Sequence, residues 1–234
     1  MGPWYLNAGN HDWMGNLTAQ IKYSDLNQRW TFPDLFYSVK YEFDGGNQDL
    51  NILMIDTQML CDQNVTGHNK NYPVDITDEM REKELFWLDQ ELENIEKSRI
   101  ESKTKGYTLV VGHYPIQKPS SPNECLVAVE NMCKKYNVDA YISGHKHIQA
   151  HLVSNDDYGL NHVITGTGAL ARVKSYEPTN TEAEVKFMFF QLKGWKGGFM
   201  TCTVNAEQLV FDWFYADGSL EPQYSVVLGN KSKK

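Results

Sequence analysis

The residues best suited to chemistry in this 234-residue chain are four of its seven histidines, each placed just behind a glycine. His11 follows Gly9-Asn10, His113 follows Gly112, and His145 and His147 flank Lys146 behind Gly144. Imidazole is the commonest protein ligand for metals, and together with an amide oxygen such as that of Asn10 it suits borderline divalent metals and iron rather than calcium. One histidine at a strand end is more often a hydrogen-bonded structural residue. Three such sets converge on one edge if their strands share a sheet, with each glycine letting the backbone turn sharply and approach an ion. Read as a strand, His145-Lys146-His147 puts both imidazoles on one face. Negative charge is scarce: no carboxylate stands in an obvious bridging position. Asp12 adjoins His11 and reads as a turn or outer-sphere residue. Asp56 either orients the site or caps a helix, and the sequence leaves both open.

The elements that must position these residues follow from periodicity. Pro3–Ala8 reads as a strand entering the first motif, and Ala19–Arg29 as a short helix ending near Phe32-Pro33. Phe36–Phe43 alternates as a half-buried strand, Asp44-Gly45-Gly46-Asn47 turns the chain, and Leu50–Ile55 returns as a more buried strand, a hairpin pattern. Thr77–Ile100 is the clearest helix: Thr77 or Asp78 caps it, acids crowd its first turns, and Leu85, Leu88, Leu92 and Ile95 line one face. Tyr107–Val111 is an apolar strand running into Gly112-His113. Cys125–Tyr136 reads as a helix, and Val138–Ile142 as a strand leading to Gly144-His145. Strand, helix, strand with motifs at the strand ends implies crossover connections and a site at the carboxyl edge of the sheet. Six strands are expected after it: Gln149–Val153, His162–Thr165, Lys186–Leu192, Gly198–Val204, Gln208–Tyr215 and Tyr224–Leu228. The expected fold is a layered α/β domain with a mixed sheet over residues 1–229, with 230–234 as a basic tail.

Composition narrows the function classes. With 41% hydrophobic residues the chain can bury one sizeable core. Its net charge of −8 argues against nucleic-acid binding. No stretch has the length of a membrane span. The start of the sequence lacks the charged lead and apolar run of a signal peptide, so secretion would require a leader beyond it. Cys61, Cys125, Cys133 and Cys202 show no metal-ribbon spacing and read as free thiols or disulfide partners. Three glycosylation sequons, at Asn16, Asn64 and Asn230, add weight to the disulfide reading.

Gly9-Asn10-His11-Asp12, Gly112-His113 and Gly144-His145-Lys146-His147, in that order, resemble the later motifs of the calcineurin-like metallophosphoesterases. Stretches such as PWYLNAGNHDWMGNLTAQIKYS, RWTFPDLFYSVKYEF, ELFWLDQEL, VVGHYPI and AYISGHKH resemble the small purple acid phosphatases of the tartrate-resistant type. The likeness covers nearly the whole chain and is looser across Thr165–Gly198. It implies a dinuclear centre of Fe(III) and a divalent iron, zinc or manganese ion that hydrolyses phosphate monoesters, including phosphoproteins. Asn10, His113 and His145 would hold the divalent ion, and His147 the Fe(III). His11 would hydrogen-bond phosphate or protonate the leaving alcohol. The resemblance also implies a Cys61–Cys125 disulfide, leaving Cys133 and Cys202 without an assigned partner. It implies glycosylation at Asn16 and a secreted, lysosomal or vacuolar full-length protein.

Two earlier motifs of that family, Gly-Asp-Trp-Gly and Gly-Asp-Asn-Phe/Tyr-Tyr, do not occur here, and with them go a terminal aspartate, the bridging aspartate and a tyrosine ligand. The expectation is therefore a fragment lacking the front βαβ portion, inactive by itself, with an open sheet edge and exposed apolar surface beside Tyr5–Ala8. Ile116–Glu124 contains no histidine where the family has one, and the loop around Leu170–Thr181 departs from the pattern. Two other readings are a non-catalytic binding or scaffold protein built on this fold, and another superfamily member such as a nucleotidase or protein phosphatase. Keeping Asn10, His11, His113, His145 and His147 argues against the former, and the flanking text against the latter.

Overall fold

A computed structural model describes residues 2–61, 76–118, 121–154, 157–168, 185–187 and 197–229. Its strands are β1 (Trp4–Tyr5), β2 (Trp30–Thr31), β3 (Tyr37–Phe43), β4 (Gln48–Met54), β5 (Lys105–Val111), β6 (Gln117–Lys118) and β7 (Ser121–Pro122). They continue as β8 (Ala140–Ser143), β9 (Gln149–Ser154), β10 (Asn161–Thr165), β11 (Val185–Phe187), β12 (Gly198–Val204), β13 (Gln208–Tyr215) and β14 (Tyr224–Gly229). The helices are α1 (Leu17–Lys22), α2 (Thr57–Leu60), α3 (Asp78–Ser102) and α4 (Val127–Lys135).

Seven strands form one mixed sheet in the order β11-β9-β10-β8-β5-β4-β3. Its centre is parallel, with β4, β5, β8 and β10 all running the same way. Their carboxyl ends therefore share an edge, as the strand-helix-strand pattern requires. The expected hairpin is present: β3 pairs antiparallel with β4 around Asp44, Gly45 and Gly46, all at positive φ.

The sheet is covered on both faces. Leu88 and Leu92 of α3 and Val129 and Cys133 of α4 pack on Leu53, Val110 and Tyr141. On the other face, the antiparallel sheet β12-β13-β14 contributes Leu209, Phe211, Trp213 and Val226 against Tyr107, Leu109 and Val163. α3 has the predicted stripe, and Thr77 caps it by accepting a hydrogen bond from the Met80 amide. The helix expected over Ala19–Arg29 is instead α1 plus a 3-10 turn at Tyr23–Asp25, because Asn16 caps the earlier start through the Ala19 amide. The Cys125–Tyr136 segment likewise opens as a 3-10 turn before α4.

Cys61 and Cys125 form the expected disulfide. It ties the end of α2 to the turn before α4 and closes a 64-residue separation, worth roughly 4 kcal/mol in chain-entropy terms. Cys133 and Cys202 are free. Asn16 is exposed, as glycosylation requires. Asn64, Asn230, the basic tail, the loop around Leu170–Thr181 and the end of the Lys186–Leu192 strand lie outside the described residues. No described helix is long and apolar enough to cross a membrane. Of the apolar surface expected to be exposed beside Tyr5–Ala8, Trp4 is 62% exposed, whereas Tyr5 and Leu6 are half-buried and Ala8 is buried.

Candidate active site

A cavity of about 450 Å³ opens at the carboxyl edge of the large sheet. Asn10, His11, His113, His145 and His147 all line it, so every residue selected from the sequence for the site reaches one place. Asn10 and His11 arrive from the loop after β1, His113 from the end of β5, and His145 and His147 from the end of β8. Lys146, Thr165, Gly166 and Gly168 complete much of the wall and were not singled out from the sequence. Their signal was Thr165-Gly166-Thr167-Gly168, a further strand end leading into glycines, after a strand parallel to β8.

The donors crowd at one point. His113 Nε2 lies 2.8 Å from Asn10 Oδ1 and 3.2 Å from His145 Nδ1. Tyr114 closes the group, its ring edge-on to His145 at 4.5 Å between centroids. Burial pushes the His113 imidazole down to about 4, so near neutral pH it offers an uncharged nitrogen. His147 Nδ1 is buried with no hydrogen-bond partner. His11 is exposed at the rim of the cavity.

Two expectations need correction. His145-Lys146-His147 is not a strand: β8 ends at Ser143, and both histidines adopt left-handed φ values of 59° and 50°. That conformation costs a non-glycine residue roughly 1–2 kcal/mol. It replaces strand alternation as the device that puts both rings on the cavity. Nor do the glycines before the motifs turn the backbone, since neither Gly9, Gly112 nor Gly144 has positive φ. They make room. A Cβ on Gly9 would sit 2.8 Å from His113 Nδ1, and one on Gly112 would meet Tyr141 Oη at 2.5 Å. Gly9→Ala is thus expected to drive the His113 ring back to ordinary contact, about 3.5 Å or more, and break its approach to Asn10. A crystal structure of the variant showing an unmoved ring would contradict this.

The carboxylates behave as outer residues. Asp12 accepts the Gly9 amide on Oδ2 and the Gln20 side chain on Oδ1, which pins the first loop from behind. Asp56 takes the capping role, accepting the Met59 amide at the start of α2 and the Trp13 indole N–H. Among the described residues, no three imidazole, thiolate or carboxylate groups gather as a metal cluster, and no carboxylate lines the cavity. Two imidazoles and an amide oxygen suit one divalent ion. The described donors do not suit a neighbouring trivalent iron, for which His147 stands alone.

Residues 1–149 match the calcineurin-like phosphoesterase family. Tartrate-resistant acid phosphatase type 5 of Rattus norvegicus is 34% identical over 171 residues, covering 71% of this chain and 49% of that protein. The chain spans about half to just under two thirds of the curated acid phosphatases of that type it matches. Among solved structures, GAP50, the anchor in the inner membrane complex of Plasmodium, superposes with a TM-score of 0.72 at 22% identity, covering 99% of this chain and 67% of that one. Purple acid phosphatase PPD1 from yellow lupin (Lupinus luteus) seeds follows 97% of this chain and 39% of its own length with a TM-score of 0.57 at 16% identity. Strand-end motifs, layered fold and a family match across well over half the sequence agree, and the chain belongs to the calcineurin-like phosphoesterase family.

Proposed function

We propose that the chain carries the imidazole-rich part of a metal-dependent acid phosphatase site that hydrolyses phosphate monoesters. The observation that carries this reading is the meeting of Asn10 Oδ1, His113 Nε2 and His145 Nδ1 at one point of a cavity with His11 on its rim. Asn10, His113 and His145 would hold a divalent ion, which supplies Lewis acidity and activates water when bound. His113 presents its ring as a neutral donor, and Tyr114 keeps His145 turned toward it. Exposed His11 donates a hydrogen bond to the phosphate oxygen and then a proton to the departing alkoxide. Lys146 adds positive charge to the wall in a protein of net charge −8, so an anionic substrate is attracted locally rather than by the overall field.

The finer parts of the reading are an Fe(III) held by His147, a secreted, lysosomal or vacuolar full-length form, and glycan at Asn16. A trivalent ion would need carboxylate donors, and none stands among the described residues that line the cavity.

The absence of carboxylates among the described lining residues, together with the fold shared with the Plasmodium anchor protein, favours a second reading. In it the same cavity belongs to a non-catalytic binding or scaffold protein.

A cobalt(II) titration followed by visible absorption tests the metal reading. The parent chain is expected to bind one ion, and His113→Ala to lose at least about 100-fold in affinity, at or beyond the upper end of what loss of a mere supporting residue costs. Lack of cobalt binding by the parent would overturn it.

A further inference from the structure

The Gly144 amide donates to the His113 carbonyl at 3.1 Å, which joins two of the motif loops through backbone, and the four-residue helix α2 adds side-chain contacts to the His113 loop and to Trp13. α2 begins just beyond the carboxyl end of β4, and its cap Asp56 and first residues Thr57 and Gln58 are 0%, 0% and 6% exposed. Each makes contacts that leave its own element. Thr57 Oγ1 accepts the amides of both His113 and Tyr114, at 3.0 and 2.8 Å. Gln58 Oε1 accepts the Tyr114 hydroxyl. Asp56 Oδ2 accepts the indole N–H of Trp13 at 2.8 Å, and Trp13 stands two residues beyond His11 in the turn that follows it. Tyr114, held twice by this turn, is the ring that stacks edge-on against His145. Its carbonyl also accepts the Tyr141 hydroxyl at 2.7 Å.

We infer that the Asp56-Thr57-Gln58 turn, and Thr57 above all, is a positioning device that fixes the His113 loop relative to the Asn10–His11 and His145 loops. The geometry is economical in acceptors. A chain leaving a parallel strand toward a ligand-bearing loop has amides with no strand partner, and buried amides left unpaired cost about 1–3 kcal/mol each. One hydroxyl satisfies two consecutive amides and so fixes both peptide planes, hence the direction in which the His113 side chain leaves the backbone. The Thr57 methyl is involved as well: a Cβ on Gly112 would fall 2.6 Å from Thr57 Cγ2, so the strand end is seated directly on it. An imidazole displaced by about 1 Å loses much of its value as a ligand. Thr57 touches no substrate or metal and acts only through His113 and Tyr114.

Thr57→Val keeps the shape and removes the acceptor, while Thr57→Ser keeps the acceptor and removes the methyl. In the full chain, Thr57→Val is expected to raise amide exchange at His113 and Tyr114 at least tenfold and to shift the imidazole resonances of His113 and His145 at fixed pH. It should also weaken cobalt(II) binding at least tenfold, with Thr57→Ser staying within about threefold of the parent in every measurement. The cobalt arm rests on the metal reading above, but the exchange and resonance arms do not. If the parent binds no cobalt, the metal reading fails and the positioning role is still decided by those two arms. Unchanged exchange and imidazole resonances in Thr57→Val, or a Thr57→Ser defect as large as that of Thr57→Val, would overturn the inference.

Discussion

Between pH 5 and pH 7 the parent chain is expected to lose stability that a Glu84→Gln variant keeps. Glu84 of α3 is fully buried, its Oε1 accepts the Asp56 amide, and its Oε2 has no hydrogen-bond partner. Burial first, then the nearby Asp56 carboxyl, holds its pKa well above the usual carboxylate range. Asp56 itself is raised to about 7, mainly by burial and against the hydrogen bonds it accepts from Met59, Trp13 and Gln58. The sign follows from proton counts. Above the unfolded pKa the unfolded chain has released protons that the folded chain retains, so raising the pH favours unfolding until the folded group ionises.

A proton kept by the folded chain and released by the unfolded one costs about 1.4 kcal/mol per pH unit over the range where the two differ, on the order of 3–6 °C in Tm per unit for a chain of this size. Glutamine keeps the acceptor for the Asp56 amide and removes the titration. The variant should therefore melt higher at pH 7 and converge with the parent near pH 4, leaving only the slope due to Asp56. Thermal melts across this range giving parallel curves would refute the assignment. His151 works in the opposite direction. Burial lowers its pKa, so its neutral form is favoured by folding and its contribution is lost as pH falls below its unfolded value near 6.5. Both proteins should bend downward together in acid for that reason, and the difference between them isolates Glu84.

The second large effect concerns turnover. Supplied with iron and zinc, the 234-residue polypeptide is expected to hydrolyse p-nitrophenyl phosphate below about 0.01 per second, against the roughly 1–1000 per second usual for enzymes. The reason lies in the donor set. The described lining offers imidazoles, an amide and Lys146, with no anion to offset a trivalent centre, while Asp12 is tied to Gly9 and Gln20 and Asp56 is buried beneath Trp13. Hydroxide must be generated near neutral pH by a strongly charged centre, and two close cations repel without a carboxylate between them. Turnover well above that limit, abolished by His113→Ala, would show the site to be sufficient as it stands and would dispose of the scaffold reading. Cobalt binding without turnover would separate ligation from catalysis.

Much of the candidate site was legible because a set of donor side chains constrains residue type as well as place. Asn10, His11, His113, His145 and His147 stood out as imidazoles and an amide behind glycines, and all five line one cavity, although only Gly112 and Gly144 follow a strand directly. The central strands were legible from their apolar runs, α3 from its Leu88 and Leu92 stripe, and the Cys61–Cys125 pair from family resemblance. The alternation read into His145-Lys146-His147 failed because period two assumes a continuing strand, and here the backbone enters the left-handed region twice within three residues. The role of the motif glycines was misread for a related reason. Lack of a Cβ serves either conformation or space, and only the ring of His113, more than 100 residues away from Gly9, shows that space is what matters.

By itself the sequence determined the candidate donor types, the ends of β5 and β8 that carry His113, His145 and His147, and the layered α/β class, since these depend on local chemistry and short-range periodicity. The strand expected over Pro3–Ala8 is only Trp4–Tyr5, paired with β2 outside the large sheet, so Asn10 and His11 come from a loop. Tertiary structure decided which polar residues face the cavity and which support it. Asp56 looked equally suited to orienting or capping, and folding made it a cap that also holds Trp13. Thr57 and Glu84 carried no local signal at all. Their roles arise where the end of β4, the His113 loop and α3 meet, and burial there turns an ordinary hydroxyl into a double acceptor and an ordinary carboxylate into a titrating liability.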